Sequence, residues 1–264
     1  MNRLINMHHT QDIIEVVKKR ADRGVVSAPS IKLDTDILHM DPERSDYEET
    51  DVEIENMDTI TAVLQAIKDG YRPLVLNMAN SRTPGGGFLT GAKAQEEDLF
   101  RCTDYHATLV RSLYPICHDE VIYSPCVNIL KDVNYQLLET PQSAGFVAAA
   151  AIRNPRLTMY GQFRSFDQYL TESKIRMIYQ LGVIQRYDCL ILGALGCGAF
   201  NNPPFEVAQI FAEVTAEYAQ KFRKIIFPIM CGSDNSNCEI FQDTFMEIYR
   251  ESVVDNETAQ FTDV

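Results

Sequence analysis

Two adjacent carboxylates, Glu96 and Glu97, follow Gln95, and seven residues separate that trio from the triplet Gly85-Gly86-Gly87. In isolation an acidic pair at a helix start is ordinary, because it complements the helix dipole. Adjacent helical residues point about 100° apart, however, so two neighbouring glutamates can do different work. One can accept the hydroxyls of a ribose. The other can give a proton to a leaving oxygen, provided burial raises its pKa. The three glycines upstream carry no Cβ, so backbone N–H groups there can approach a ligand closely.

A second loop, Gly193-Ala194-Leu195-Gly196-Cys197-Gly198-Ala199-Phe200-Asn201-Asn202-Pro203-Pro204, has the same character. Neither loop matches a known phosphate-loop motif. Gly86 and Gly91 have Walker spacing, but Ala92 stands where lysine is required and Lys93 is followed by Ala94, which removes a nucleotide triphosphatase. A dinucleotide GxGxxG starting at Gly196 fails at Asn201, and no acid closes a neighbouring strand about 20 residues later. The second loop can still cradle a diphosphate, on its amides and on the N-terminus of the helix that follows. Phe200 can stack on a sugar or base, or anchor the loop. The seven cysteines form no CxxC pair and the five histidines no HExxH or C2H2 spacing, so neither a metal nor another cofactor is expected.

These loops need elements to hold them. Ile13, Ile14, Val16 and Val17 mark a short helix over 11–22. Residues 41–56 are acidic and read as a solvated loop. Asp58 caps a helix over 59–67 that Gly70 ends, and 73–78 is a buried strand. Helix 96–113 follows the glycine triplet. Strands are then expected at 121–124, 145–150, 189–192 and 225–230, and helices at 171–186, 205–221 and 239–250, with a polar, frayed tail at 251–264. Strands alternating with helices imply a largely parallel α/β sheet covered on both faces, with ligands beyond the carboxyl ends of its strands.

The chain has 264 residues, 24 basic against 37 acidic, for a net charge of −13. That length buries one sizeable core or two small ones. The acid excess disfavours a surface that wraps duplex DNA by counterion release, but leaves room for an anionic ligand held locally by amides. There is no apolar run near 18 residues and no signal-peptide pattern, so an intracellular protein, cytoplasmic or nuclear, with reduced thiols and no membrane span is expected.

The glycine triplet with its downstream Gln95-Glu96-Glu97 resembles the signature of the bacterial-type poly(ADP-ribose) glycohydrolases, a branch of the macrodomain superfamily. Leu76-Asn77-Met78-Ala79-Asn80, Leu99-Phe100-Arg101, Asp58-Thr59, Tyr123-Ser124-Pro125, the loop from Gly193 to Phe200 and Phe227-Pro228-Ile229 fit it in the same order. The resemblance spans roughly 50–245. It implies a three-layer α/β/α macrodomain with a mixed central sheet, which moderates the parallel reading. Added to it here are an N-terminal helical extension over 1–49 packed on the core, a catalytic domain over 50–250 and the tail at 251–264. It also implies ADP-ribose as ligand. By position, Glu97 would be the catalytic residue and Glu96 would hold the distal ribose. Asn80 would orient that ribose, Gly85, Gly86 and Gly87 would approach it and its phosphate, and Gln95 completes the motif. Gly196, Cys197, Gly198, Ala199 and Phe200 would take the diphosphate, with Phe200 near the distal ribose. The adenine would sit beyond the strand ending at Met230, with Asn237 and Phe241 as candidates.

The reaction so implied is metal-independent hydrolysis of the ribose–ribose O-glycosidic bond, with Glu97 as general acid and then base. Partners would be ADP-ribose or poly(ADP-ribose) on modified proteins, with no membrane and no sequence-specific nucleic acid, and the chain would act as a monomer. Two other readings stay open: a hydrolase of another ADP-ribosyl linkage, on a protein side chain or nucleic-acid base, and a non-catalytic ADP-ribose-binding macrodomain. Local, terminal capture by amides predicts polymer binding that falls only modestly with salt.

Overall fold

The structure is a computed structural model that describes residues 2–25, 27–35, 47–231 and 237–260. Its elements are α1 (Asn2–Ala21), β1 (Ile31–Asp34), β2 (Asp51–Glu55), α2 (Thr59–Lys68), β3 (Pro73–Met78), α3 (Gln95–Cys102), α4 (Tyr105–Thr108), β4 (Glu120–Lys131), β5 (Leu137–Ala149), α5 (Ser165–Ile184), β6 (Cys189–Ile191), α6 (Pro204–Glu217), β7 (Lys224–Pro228) and α7 (Asn237–Gln260). The strands form one sheet in the order β1-β4-β5-β3-β6-β7-β2.

The sheet is mixed. From β5 to β2 every pair is parallel, whereas β1–β4 and β4–β5 are antiparallel. This is the mixed sheet that the family resemblance implies; the largely parallel reading from strand–helix alternation alone holds except at one edge, for a local reason. β4 and β5 are joined by a tight turn in which Asp132 Oδ1 accepts the N–H groups of Asn134 and Gln136, at 2.9 and 2.8 Å. A turn that short leaves no room for a crossover helix. The layers follow from alternation along β3. Leu74 and Leu76 pack into the core that includes Ile178, Phe211 and Phe227 on the α5–α7 side. Val75 packs with Ile13, Val63 and Leu99 on the α1–α3 side.

Several boundaries move. α1 begins nine residues before the predicted start because its buried face is partly polar. Asn6 Nδ2 donates to the Gly91 carbonyl at 3.1 Å and Thr10 Oγ1 to that of Phe88 at 3.0 Å. No apolar period marks such a face. This helix and β1 belong to the 1–49 extension, and β1 is bonded along β4 as an edge of the same sheet.

The acidic stretch read as a loop holds β2. Val52 and Ile54 alternate with Asp51, Glu53 and Glu55, and Lys224 Nζ meets Asp51 and Glu53 at 2.9 and 2.7 Å. Residues 41–46 of that stretch lie outside the described residues. The helix expected over 96–113 stops at Cys102. There Thr103 Oγ1 donates back to the Leu99 carbonyl at 2.7 Å and the Asp104 N–H turns away to Asn128 O at 3.0 Å. The last helix continues to Gln260, since 251–260 contain neither Gly nor Pro; 261–264, the end of the predicted frayed tail, lie outside the described residues. Among the described residues no helix is long and apolar enough to cross a membrane.

Candidate active site

The C-terminal ends of β3, β5, β6 and β7 open onto two adjoining cavities of about 230 and 470 Å³. The smaller is lined from one loop by Asn80, Gly86, Glu96 and Glu97, and from the other by Gly196, Gly198, Ala199 and Phe200. The larger is lined by Asp58 and Ile60 of the α2 start, Tyr135 of the β4–β5 turn, Ile229 and Met230 after β7, and Asn237 of α7. Met78, Gln95, Ala194 and Gly198 line both.

Both glutamates are buried, Glu96 at 4 % exposure and Glu97 at 7 %. Gln95 fixes their helix to the strand: its Oε1 accepts the Met78 N–H at 2.9 Å and its Nε2 donates to the Leu76 carbonyl at 2.6 Å. Glu96 Oε2 accepts the Asn80 N–H at 2.8 Å, and its Oε1 accepts Gly85 N–H at 3.1 Å and Asn77 Nδ2 at 3.4 Å. Burial nevertheless pushes the Glu96 pKa up to about 8; these donors oppose the shift and the Glu97 charge adds to it. Glu97 Oε1 accepts Gly87 N–H at 2.8 Å, and its Oε2 has no protein partner among the described residues. Gly86 closes the arrangement. Its φ is +53°, and a Cβ there would stand 2.7 Å from Glu97 Oε1 and 3.0 Å from Glu96 Oε2.

The glycine triplet thus serves the carboxylates rather than presenting amides to a ligand, which corrects the sequence reading. Gly85 and Gly87 donate to the glutamates, and Gly86 donates to the Thr83 carbonyl at 3.0 Å.

The second loop is built differently. Asn202, almost fully buried, donates from Nδ2 to the carbonyls of Ile152, Gly196 and Phe200 at 2.7, 3.1 and 3.3 Å. These bonds brace the loop from behind. The N–H groups of Gly196, Gly198, Ala199 and Phe200 have no acceptor among the described residues. Four such donors beside one cavity make an anion nest. The helix N-terminus contributes less than the sequence implied: Pro203 and Pro204 lack N–H groups, Glu206 occupies the first turn, and none of the three lines the cavity.

Most of the predicted residues converge here. Asn80 spends Oδ1 on the N–H groups of Arg82 and Thr83, at 2.9 and 3.0 Å, and keeps Nδ2 unbonded among the described residues. Gln95 reaches the cleft with both polar ends engaged by β3, so it positions rather than binds. Cys197 turns from the cavity into the core, and burial pushes its thiol up to about 12. Asn237 lines the larger cavity. Phe241 does not: it is fully buried among Phe211, Phe227 and Phe245, because its place on α7 faces the sheet.

Two residues escaped the sequence reading of the site. Asn77 is fully buried under Glu96, and a polar residue at a core position of an apolar strand was its available signal. Tyr135, in the left-handed region at φ 61°, donates to Asp98 Oδ1 at 2.6 Å and stacks on His9 at 4.3 Å; nothing local in the sequence marks it. No group of three or more His, Cys, Asp or Glu side chains able to hold a metal ion occurs among the described residues.

The family model for the microbial-type PARG catalytic domain matches residues 7–132, the segment that carries both glutamates. No curated protein matches the chain. Among solved structures, the poly(ADP-ribose) glycohydrolase of Thermomonospora curvata is similar at 25% identity and a TM-score of 0.80, over 92% of this chain and 100% of that one. The Deinococcus radiodurans enzyme in complex with ADP-ribose is similar at 25% identity and a TM-score of 0.72, over 81% and 93%. The same T. curvata enzyme bound to the inhibitor ADP-HPD shares the fold at 24% identity and a TM-score of 0.77. With its glutamate pair inside the matched segment and its fold shared over the full length of the T. curvata enzyme, the chain is similar to the microbial-type poly(ADP-ribose) glycohydrolases in both its site-bearing segment and its architecture.

Proposed function

We propose that the chain hydrolyses the ribose–ribose O-glycosidic bond of poly(ADP-ribose), with Glu97 as the group that moves the proton. The observation that carries this is the juxtaposition, in one small cavity, of two buried glutamates with four amides that have no acceptor among the described residues. The amides take the diphosphate. The adenosine lies in the larger cavity, over the apolar wall of Ile60, Ile229 and Met230, with Asp58 and Asn237 as its polar contacts. The distal ribose then reaches the glutamates. Glu96 Oε2 accepts one donor and has room for a ribose hydroxyl, and Asn80 Nδ2 is free to hold another.

In the reacting complex the one proton of the glutamate pair sits on Glu97 Oε2, the unbonded oxygen, which gives it to the leaving ribose oxygen as the bond to the anomeric carbon breaks. The cation that develops on the sugar is stabilised by the neighbouring diphosphate. The Glu97 carboxylate next takes a proton from water as the water oxygen bonds to that carbon, which restores the acid. ADP-ribose leaves from one side and the shortened polymer from the other. The chain acts as a monomer in this reading. The polymer is carried by modified proteins in an intracellular setting, where the seven free cysteines stay reduced.

Glu97→Gln tests the assignment. Glutamine keeps an oxygen for the Gly87 N–H but cannot exchange a proton. Release of ADP-ribose should fall by about 10²–10⁴-fold, while affinity for free ADP-ribose stays within a few-fold. Full activity in the variant overturns the role of Glu97. Wild-type protein that binds ADP-ribose and releases none makes the chain a reader.

A further inference from the structure

The polymer does not end at the bond that breaks, and the surface it meets next has an unusual composition. In a chain of net charge −13, residues 140–166 contain no acid and three arginines, Arg153, Arg156 and Arg164. All three are exposed, and none has an ion-pair partner among the described residues. Between them the chain makes an ordered turn. The Thr158 N–H donates to Gln162 O at 2.8 Å, Gly161 N–H to Thr158 O at 3.0 Å, and Gln162 N–H to Thr158 Oγ1 at 3.2 Å. Leu157 and Phe163 anchor its two ends in the core. The tip lifts Met159 and Tyr160 into solvent at 89 % and 80 % exposure. A braced turn that exposes an aromatic ring between unpaired cations has the chemistry of a base-and-phosphate contact.

The segment is continuous with the reaction site. Ala151 lines the smaller cavity. The Asn154 N–H donates to Phe200 O at 2.8 Å, and Asn201 Nδ2 to Asn154 Oδ1 at 2.7 Å. The Arg153 guanidinium lies 5.9 Å from the centre of the Phe200 ring. The leaving oxygen belongs to the ribose of the next unit, so the remainder of the polymer starts at the cavity that holds Glu97 and Phe200. This segment adjoins that cavity.

We infer that the Thr158–Gln162 turn and its flanking arginines form a second subsite, which holds the penultimate ADP-ribose unit on the leaving-group side of the bond. Arg156, with Arg153, neutralises the diphosphate of that unit and Tyr160 stacks on its adenine. The inference rests on the hydrolase reading, because it takes its direction from the bond that reading breaks. It confines charge recognition to one unit, in keeping with the net charge of −13.

The test compares wild type with Arg156→Ala/Tyr160→Ala on two substrates: purified poly(ADP-ribose), and ADP-ribose carrying a 4-nitrophenyl leaving group at the anomeric carbon. The variant should raise KM for the polymer about tenfold at unchanged kcat. It should leave both constants for the aryl substrate, and the Kd of free ADP-ribose, unaltered. The salt dependence of polymer binding should lose about 0.7 from its logarithmic slope. Arg156→Lys/Tyr160→Phe should restore the polymer KM. An unchanged polymer KM overturns the subsite, and so does an equal loss on the aryl substrate, which would mark a structural defect. A loss seen only when the polymer is attached to a carrier protein assigns the face to the protein and also overturns it. Wild type inactive on both substrates refutes the hydrolase reading separately, because the affinity of the Glu97→Gln form for an ADP-ribose dimer against the monomer still reads the subsite.

Discussion

The two glycine-rich loops beside the cleft use their backbone amides in opposite ways. In the loop after β3, the N–H groups of Gly85 and Gly87 close onto Glu96 and Glu97, and Gly86 lies so near both carboxylates that a side chain would displace them. In the loop after β6, four amides are left without a protein acceptor among the described residues, while the side chain of Asn202 braces the turn from behind. The same residue type therefore does two jobs. After β3 glycine brings backbone to the protein's own acids; after β6 it leaves backbone open to a ligand. A glycine-rich loop at a strand end is not by itself a phosphate site, and the donors' partners decide which kind it is.

The largest effect that this contrast predicts falls on the first loop. Gly86→Ala must move Glu97 Oε1 and adopt a backbone angle that alanine resists. A displacement of this order at an acid/base group costs about 10²-fold in turnover. Single-turnover release of ADP-ribose should show that loss, with the affinity for free ADP-ribose much less affected. Turnover at the wild-type rate would mean that the glycine does not set the carboxylates.

The next effect separates the loops by pH. Burial holds the Glu96 carboxyl at about 8 in the folded chain, whereas in the unfolded chain it titrates in the ordinary carboxylate range. The unfolded state therefore sheds this proton first as pH rises. The stabilisation is whole below the ordinary range and is lost progressively until about pH 8, at no more than about 1.4 kcal/mol per pH unit. Denaturant unfolding of wild type and Glu96→Gln at pH 5, 6, 7, 8, 9 and 9.5 isolates the slope. The stability of wild type relative to the variant should decline across the series and level off above pH 8. The second loop contributes nothing comparable, since its one titratable group, the Cys197 thiol, is pushed up to about 12. A flat difference between wild type and variant would remove the buried proton from Glu96.

Much of this was legible in the sequence, and the exceptions have physical causes. The order of strands and helices, the two loops and the glutamate pair came from apolar runs and local spacing, which are local properties. The mixed sheet came only through the family resemblance and not from those local properties, because strand direction depends on whether a connection is a short turn or a crossover, and the β4–β5 turn hides inside two long strands. β2 was masked by its acids, whose charge Lys224 answers from 171 and 173 residues away. The division of labour between the loops was also out of reach. Which acceptor each amide meets is a long-range fact: Gly85 finds Glu96 across a separation of 11 residues, and Asn202 finds Ile152 across 50. The adenine side was read least well. Phe241 follows the strand ending at Met230 as expected, yet its helix turns the ring into the core, while Tyr135 arrives at the larger cavity from a turn with no motif.

The smallest effect sharpens the contrast most. Gly198 has an ordinary φ, and a Cβ built on it would meet nothing within 4 Å. Nothing in the folded protein therefore asks for glycine at this position, unlike Gly86 or Gly196, where a Cβ would stand 2.5 Å from Asn202 Nδ2. If its amide serves a diphosphate, a bulkier side chain should hinder the ligand and spare the fold. Gly198→Val should keep its unfolding free energy within about 0.5 kcal/mol of wild type. The Kd for ADP-ribose should weaken by up to about tenfold, the worth of roughly one hydrogen bond, and kcat for bound substrate should change little because Glu97 is untouched. Titration calorimetry beside a thermal melt separates the two quantities. A variant that loses stability while keeping affinity would mean that the second loop, like the first, spends its glycines on the protein itself.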